Sequence, residues 1–338
     1  MESPLRHFRC AQFQFTLKAL DCLNLPEYKG STFRGGFGHA FRKVVCALKA
    51  KECADCLLKE KCIYSYIFET PPPSDSRMMR KYPSAPHPFI LCPPMEKDRI
   101  YEPGEELQFQ LTLIGRAIDY LPYFIYTFEE LGKMGLGKGR GKFTLEEVKS
   151  IGERLKVKGG REDENEGERS EVIYSGDEKI LRNISTVSPF PLFAISLPPS
   201  AFNLTPFTLH LLFLTPTRLK FQGELTSDLK FHIFFRNLLR RISLLSYFHC
   251  EKELDVDYRG LIREAEGIVT KKNNLRWYDW ERYSTRQGER MKLGGFVGKI
   301  TFLGNLTSFW PYIILGEFIH VGKGSSFGLG KYEILSKG

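Results

Sequence analysis

The chain has 338 residues, 42% of them hydrophobic and 26% charged, which excludes disorder as its main state and allows one large or two ordinary domains. Its 49 Lys and Arg outnumber 40 Asp and Glu by nine, and with 13% aromatic residues this balance suits a polyanionic partner such as nucleic acid. No long apolar run follows Arg6, His7 and Arg9 as an export signal requires, and prolines from Pro189 to Pro216 interrupt the densest apolar stretch, so a cytoplasmic chain without a membrane span is expected.

In chain order, the alternation of Phe13, Phe15 and Leu17 with Gln14, Thr16 and Lys18 predicts a strand over Gln12 to Ala19. A glycine-interrupted approach, Gly30 to Gly36, leads into a predicted helix from about Phe37 to Leu48. Phe37, Phe41, Val44, Val45 and Leu48 fall on one side of it, and His39, Arg42, Lys43 and Cys46 on the other. Cys46, Cys53, Cys56 and Cys62 then crowd together with a single two-residue gap, at Cys53-Ala54-Asp55-Cys56. A structural zinc and a buried thiol cluster without metal both fit that spacing. After a Pro-rich crossing, Pro71 to Pro94, come a strand over Leu107 to Gly115, a helix near Tyr120 to Gly132 and the glycine-rich run Gly132 to Gly141. Residues 152–179 turn polar and read as an exposed excursion or hairpin.

The second half repeats the plan. A strand is expected at Phe207 to Thr215, a helix at Asp228 to Ser246, a strand at Gly295 to Leu303 and a short helix at Ser308 to Phe318. That last helix runs into His320-Val321-Gly322-Lys323-Gly324-Ser325-Ser326-Phe327-Gly328-Leu329-Gly330-Lys331. Pro122-Tyr123 precedes Gly132-Lys133 much as Pro311-Tyr312 precedes Gly322-Lys323, which is the mark of an internal duplication. The expected architecture is α+β, with tandem ferredoxin-like (RRM-like, β-α-β-β-α-β) domains at 1–185 and 186–338. The first would carry the cysteine-rich insertion (46–62) and the polar excursion (152–179), the second the glycine-rich loop (320–331).

Glycines after a helix allow close approach of a ligand, and exposed amides beside lysines suit phosphate oxygens. A nucleotide P-loop is excluded because Gly324, not Ser or Thr, follows Lys323. Gly322, Lys323, Gly324, Ser325, Ser326, Gly328, Gly330 and Lys331 are therefore candidate RNA ligands, with tight packing as the alternative. Lys271, Lys272, Arg276, Arg282 and Arg286, interleaved with Trp277, Tyr278, Trp280 and Tyr283, form a second candidate, in which guanidinium groups fork onto phosphates and rings stack on unpaired bases. Neither HExxH nor a compact acidic run is present. RNA cutting would then use the substrate's own 2′-OH, with histidine as acid or base. His39, expected in the first helical turn beside Arg42 and Lys43 and downstream of Tyr28, has the best setting. His320 is the alternative.

The runs Phe33-Arg34-Gly35-Gly36-Phe37-Gly38-His39-Ala40-Phe41-Arg42-Lys43 and His320 to Tyr332 resemble the CRISPR-associated endoribonucleases of the repeat-associated mysterious protein (RAMP) superfamily. The likeness extends through Leu121-Pro122-Tyr123, Thr215-Pro216-Thr217-Arg218-Leu219 and Arg282 to Gln287. It implies tandem ferredoxin-like domains and metal-independent cleavage of precursor CRISPR RNA within its repeats, leaving a 2′,3′-cyclic phosphate and a 5′-OH. It further implies His39 as the catalytic residue with Tyr28 and Lys43 assisting, and Arg34 and Arg42 among the RNA ligands. The implied partners are the repeat RNA, CRISPR effector subunits and a second copy of the chain, and no cofactor is needed for catalysis. Some relatives only bind RNA, so a noncatalytic scaffold subunit of an effector complex is the rival reading.

Overall fold

The computed structural model describes residues 3–48, 52–151, 170–182, 207–226, 228–279, 281–284, 289–292 and 294–335. Strand β1 (Cys10–Ala19) forms where alternation predicts it. Phe13, Phe15 and Leu17 are fully buried, and their partners Leu111, Phe109 and Leu107 lie on the strand Glu106–Ile114. Helix α1 covers Gly30–Val45, so the expected glycine-rich approach is itself helical and His39 stands in the third turn, not the first. The reason is packing. A Cβ at Gly38 would run into the Phe68 ring, and one at Gly36 would press on Leu136 and Leu131, so these glycines trade helix propensity for close contact. No side-chain cap starts the helix. Its N-cap Lys29 is wholly buried and donates Nζ to the Glu96 carbonyl at 2.6 Å.

β2 (Phe89–Cys92), β3 (Glu106–Ile114), α2 (Leu121–Met134) and β4 (Phe143–Ile151) complete the first unit, and β5 (Ser170–Ser175) and β6 (Ile180–Leu181) extend its sheet. The sheet order is β2-β3-β1-β4-β5-β6, all antiparallel. The polar excursion thus ends as sheet. Residues 152–169 lie outside the described residues.

The second unit runs β7 (Thr208–Thr217), α3 (Phe231–His249), α4 (Tyr258–Glu266), β8 (Val269–Tyr278), β9 (Gly295–Leu303), α5 (Trp310–Ile319) and β10 (Tyr332–Leu335), with sheet order β8-β9-β7-β10. Its first four sheet positions repeat those of the first unit, and α2 and α5 both take proline in the first turn, where the missing N–H has no intrahelical partner to lose. The result is a two-lobed α+β molecule with one apolar core per lobe. Leu5, Phe8, Cys10, Ile90 and Ile114 of the first half join the core of the second and hold the two lobes together. Among the described residues no helix is long and apolar enough to cross a membrane.

Candidate functional site

Each lobe carries a glycine-rich loop, between α2 and β4 in the first and between α5 and β10 in the second, and the two loops have different surroundings. The second, from Gly322 to Gly330, is folded into the seam between the lobes. Ser325, Ser326, Gly328 and Gly330 are buried, and a Cβ at Gly330 would run into the Val321 carbonyl. Tyr28 donates its hydroxyl to the Phe327 carbonyl at 2.8 Å. Arg34 lies between the Phe68 and Phe327 rings, 4.4 Å from each centroid, and donates Nε to Ser326 Oγ at 3.0 Å. Its Nη2 lies 3.0 Å from His87 Nε2. Guanidinium can only donate, so His87 accepts there and donates Nδ1–H to Thr70 Oγ1 at 2.8 Å.

The structure therefore turns Tyr28 and Arg34 toward this loop and packs most of Gly322 to Gly330 against its surroundings. Lys331 is half-buried, with Nζ 3.4 Å from Gln110 Oε1. Lys323 stays exposed. Burial and the neighbouring Lys220 and Arg218 lower its pKa, which marks a cationic group of three at the loop's outer edge. Arg218 Nε is buried there without a hydrogen-bond partner.

His320 is buried, donates Nδ1–H to the Leu329 carbonyl at 3.2 Å, and is pushed down to a pKa of about 3, chiefly by burial. It braces the loop as a neutral ring. His249, at the end of α3, behaves alike. It donates Nε2–H to the Pro86 carbonyl at 2.7 Å, and burial brings it to about 4.

The first-lobe loop is open. His39 is exposed and shares one stripe of α1 with Thr32 and Gly36, and these three line a cavity of about 580 Å³. Gly135, Leu136, Gly137, Lys138 and Arg140 form the opposite wall, Asn24, Leu25 and Pro26 a third, and Arg99 closes the rim. Among the described residues no carboxylate lines it. Lys43, also exposed, stands one turn beyond His39 on the same stripe. Arg42 is half-buried with its guanidinium 5.9 Å from the Tyr64 ring centre. The structure thus sets His39 and Lys43 one turn apart on α1 and commits Tyr28 to the second-lobe loop.

The basic segment of the second lobe begins on β8, an edge strand exposed on both faces, where Lys271, Lys272, Arg276 and Trp277 all reach solvent. On the neighbouring strand Lys299 adds charge beside His210, whose pKa burial, Lys299 and Lys271 lower. Arg282 belongs to a short hairpin, Glu281–Ser284 with Glu289–Lys292, and the side chain of Arg282 and all of Trp280 and Arg286 lie outside the described residues.

The eight cysteines are free thiols. Burial and the neighbouring Glu69, Cys46 and Cys62 raise the Cys53 pKa. Even so, no group of three or more His, Cys, Asp or Glu among the described residues is placed to hold a metal ion.

Sequence reasoning missed Arg99, Lys138 and Arg140 at the cavity, Lys220 at the outer edge and His87 behind Arg34. The signal for Lys138 and Arg140 was present in the repeat itself, since both sit in the counterpart of the second-lobe loop. His87 had none, because its partners are 17 and 53 residues away in the chain.

Comparison with known proteins agrees with this architecture. Residues 8–184, just over half of the chain, match the family model AF_1859_N, described as an N-terminal domain. Residues 211–332 match the model of the CRISPR-associated endoribonuclease Cas6. An uncharacterised protein of Archaeoglobus fulgidus is 28% identical over 164 residues, which cover 48% of this chain and 49% of that protein, so the match spans about half the length of this curated relative. A Cas6 (TTHB231) product complex superimposes with a TM-score of 0.54 at 16% identity, covering 97% of this chain and 99% of that one. Thermus thermophilus Cas6 (TTHB231) gives 0.51 at 15% identity over 97% and 99%. A partial Cas6-RT-Cas1–Cas2 complex gives 0.53 at 13% identity, covering 97% of this chain and 46% of the other. These structural likenesses show a shared fold.

Proposed function

Because the chain belongs to the Cas6 endoribonuclease family of the RAMP superfamily, with a first half of the AF_1859_N type, we propose that it cleaves precursor CRISPR RNA within the repeat. The repeated strand order supports reading the two lobes as tandem ferredoxin-like domains, 1–185 and 186–338. One observation carries the assignment of the site. An exposed histidine, His39, opens onto a cavity whose charged lining residues, among those described, are all basic.

In the proposed reaction a base removes the 2′-OH proton of the nucleotide before the cut. That oxygen bonds to the adjacent phosphorus, the P–O5′ bond breaks, and an acid protonates the departing 5′ oxygen. The products are a 2′,3′-cyclic phosphate and a 5′-OH. His39 serves as base or acid, and Lys43 one turn away offsets phosphate charge. Tyr28, committed to the Phe327 carbonyl, acts through the position of α1. The exposed cations of β8 and the Arg218, Lys220, Lys323 group extend the RNA path over the second lobe. The named complexes of structural relatives support CRISPR proteins as further partners.

The test incubates the protein in EDTA with a CRISPR-repeat RNA and with its copy carrying 2′-deoxy at the cut site. Wild type should cut the first and spare the second. His39→Ala should lower the single-turnover rate about 100-fold or more at unchanged RNA affinity. Tight binding without cutting of any native repeat would instead establish the scaffold reading.

A further inference from the structure

The duplicated loops have divided their labour. The Gly322 to Gly330 copy is consumed by the lobe seam, whereas the Gly135 to Arg140 copy faces the cavity beside His39. In that open copy Gly139 has φ of +88° and Arg140 of +54°, so the chain turns through left-handed conformations. Lys138 spends its own amide on the Asn24 carbonyl at 2.9 Å, which pins the loop to the segment after β1. Its side chain remains exposed, as do those of Arg140 and Arg99, and among the described residues none of the three forms an ion pair. A Cβ at Gly139 would meet nothing within 4 Å, so the loop's tip is open to a ligand. The cavity is of ligand-binding size, and its Leu25, Pro26, Met134 and Leu136 surfaces offer a dry wall behind a cationic rim.

We infer that Lys138 and Arg140, with Arg99 across the rim, form a phosphate cradle that holds the scissile phosphodiester of an RNA strand against His39 while the apolar wall takes the adjoining nucleoside. Three uncompensated cations around one opening attract an anion. A phosphodiester, whose two non-bridging oxygens share one negative charge, matches a rim that can donate from several directions. In the reaction the non-bridging oxygens on phosphorus gain negative charge as the 2′ oxygen adds, so cations fixed at that place favour the transition state more than the bound substrate. This inference rests on the endonuclease reading for its choice of phosphate, while its binding site stands on the cavity alone.

Lys138→Ala with Arg140→Gln is the decisive variant, because both side chains are exposed and neither holds another part of the fold in place. Single-turnover cleavage at saturating enzyme should fall about 100-fold. Affinity for the 2′-deoxy repeat should fall less, and its dependence on salt should weaken by about 0.7 in log–log slope for each phosphate no longer neutralised. Cleavage and salt slope both equal to wild type would overturn the cradle. If wild type cuts no repeat at all, the nuclease reading fails by itself, and the cradle is then judged on affinity and slope for the uncut RNA. A measurement on the wild-type chain guards against misfolding of the variant. Acetylation of Lys138, read by mass spectrometry, should be suppressed by the 2′-deoxy repeat, and equal labelling with and without RNA would rule out contact there.

Discussion

Arg34 shows how a basic side chain inside a recognisable motif can serve the fold instead of the ligand. The guanidinium lies between two aromatic faces, donates to Ser326 and is backed by a histidine that is neutral, its pKa held well below the ordinary value by burial and by Arg34 itself. Stacking of a partly desolvated guanidinium on two rings, together with its hydrogen bonds, contributes about 2–4 kcal/mol. Arg34→Ala is expected to lose stability of that order in urea unfolding, and Arg34→Lys to recover little of it, since an ammonium has no flat face to stack. The folded fraction should bind repeat RNA as wild type does. A variant that melts like wild type yet binds more weakly would return Arg34 to the RNA surface.

At the scale of elements, strands with one buried face were legible in the sequence, because alternation alone places Phe13, Phe15 and Leu17 inside. The start of α1 was not, because Gly30 to Gly36 has poor helix propensity and its compensation comes from Phe327, Leu131 and Leu136, far off in the chain. The same long-range packing separated the two loops. Their sequences both suit phosphate, and only the arrangement of the lobes decides which copy is buried. His39 and Lys43 were legible as neighbours on one helical stripe, whereas the cations facing them come from elsewhere in the chain. Strand β8 leaves exposed the cations that its composition singles out. An edge strand exposed on both faces is stabilised little by burying its side chains, so Lys271, Lys272 and Arg276 can all turn to a polyanion. Replacing these three by alanine should flatten the salt dependence of repeat binding by about 2 in log–log slope, at about 0.7 per phosphate released from a single strand. The cleavage rate at saturating enzyme should hardly change. An unaltered slope in filter-binding titrations would remove β8 from the RNA path.

For the whole molecule, the junction between lobes is sealed by neutral histidines and buried arginine, and that makes it sensitive to acid. His249 and His320 are depressed to about 4 and about 3, and His87 lies well below its ordinary value, each first by desolvation and then by cations including Arg241. Arg241 is itself buried, donating Nε to the Ile319 carbonyl at 2.8 Å. Arg34 faces His87, Arg116 faces His249 and Lys331 faces His320, so a cation opposes a new charge on each of these rings. Above a pH of about 6.5 the rings are neutral in both folded and unfolded chains and stability does not depend on them. Below it the unfolded chain takes up protons that the folded chain refuses. Stability therefore falls with pH, by up to about 1.4 kcal/mol per unit for each ring, until the folded pKa is reached. Urea midpoints measured from pH 7 to 5, above most carboxylate titration, should decline accordingly. His249→Gln keeps a side-chain N–H for Pro86 and does not titrate, so its midpoint should decline less steeply than that of wild type. Parallel slopes for the two proteins would mean that the acid response arises outside the seam.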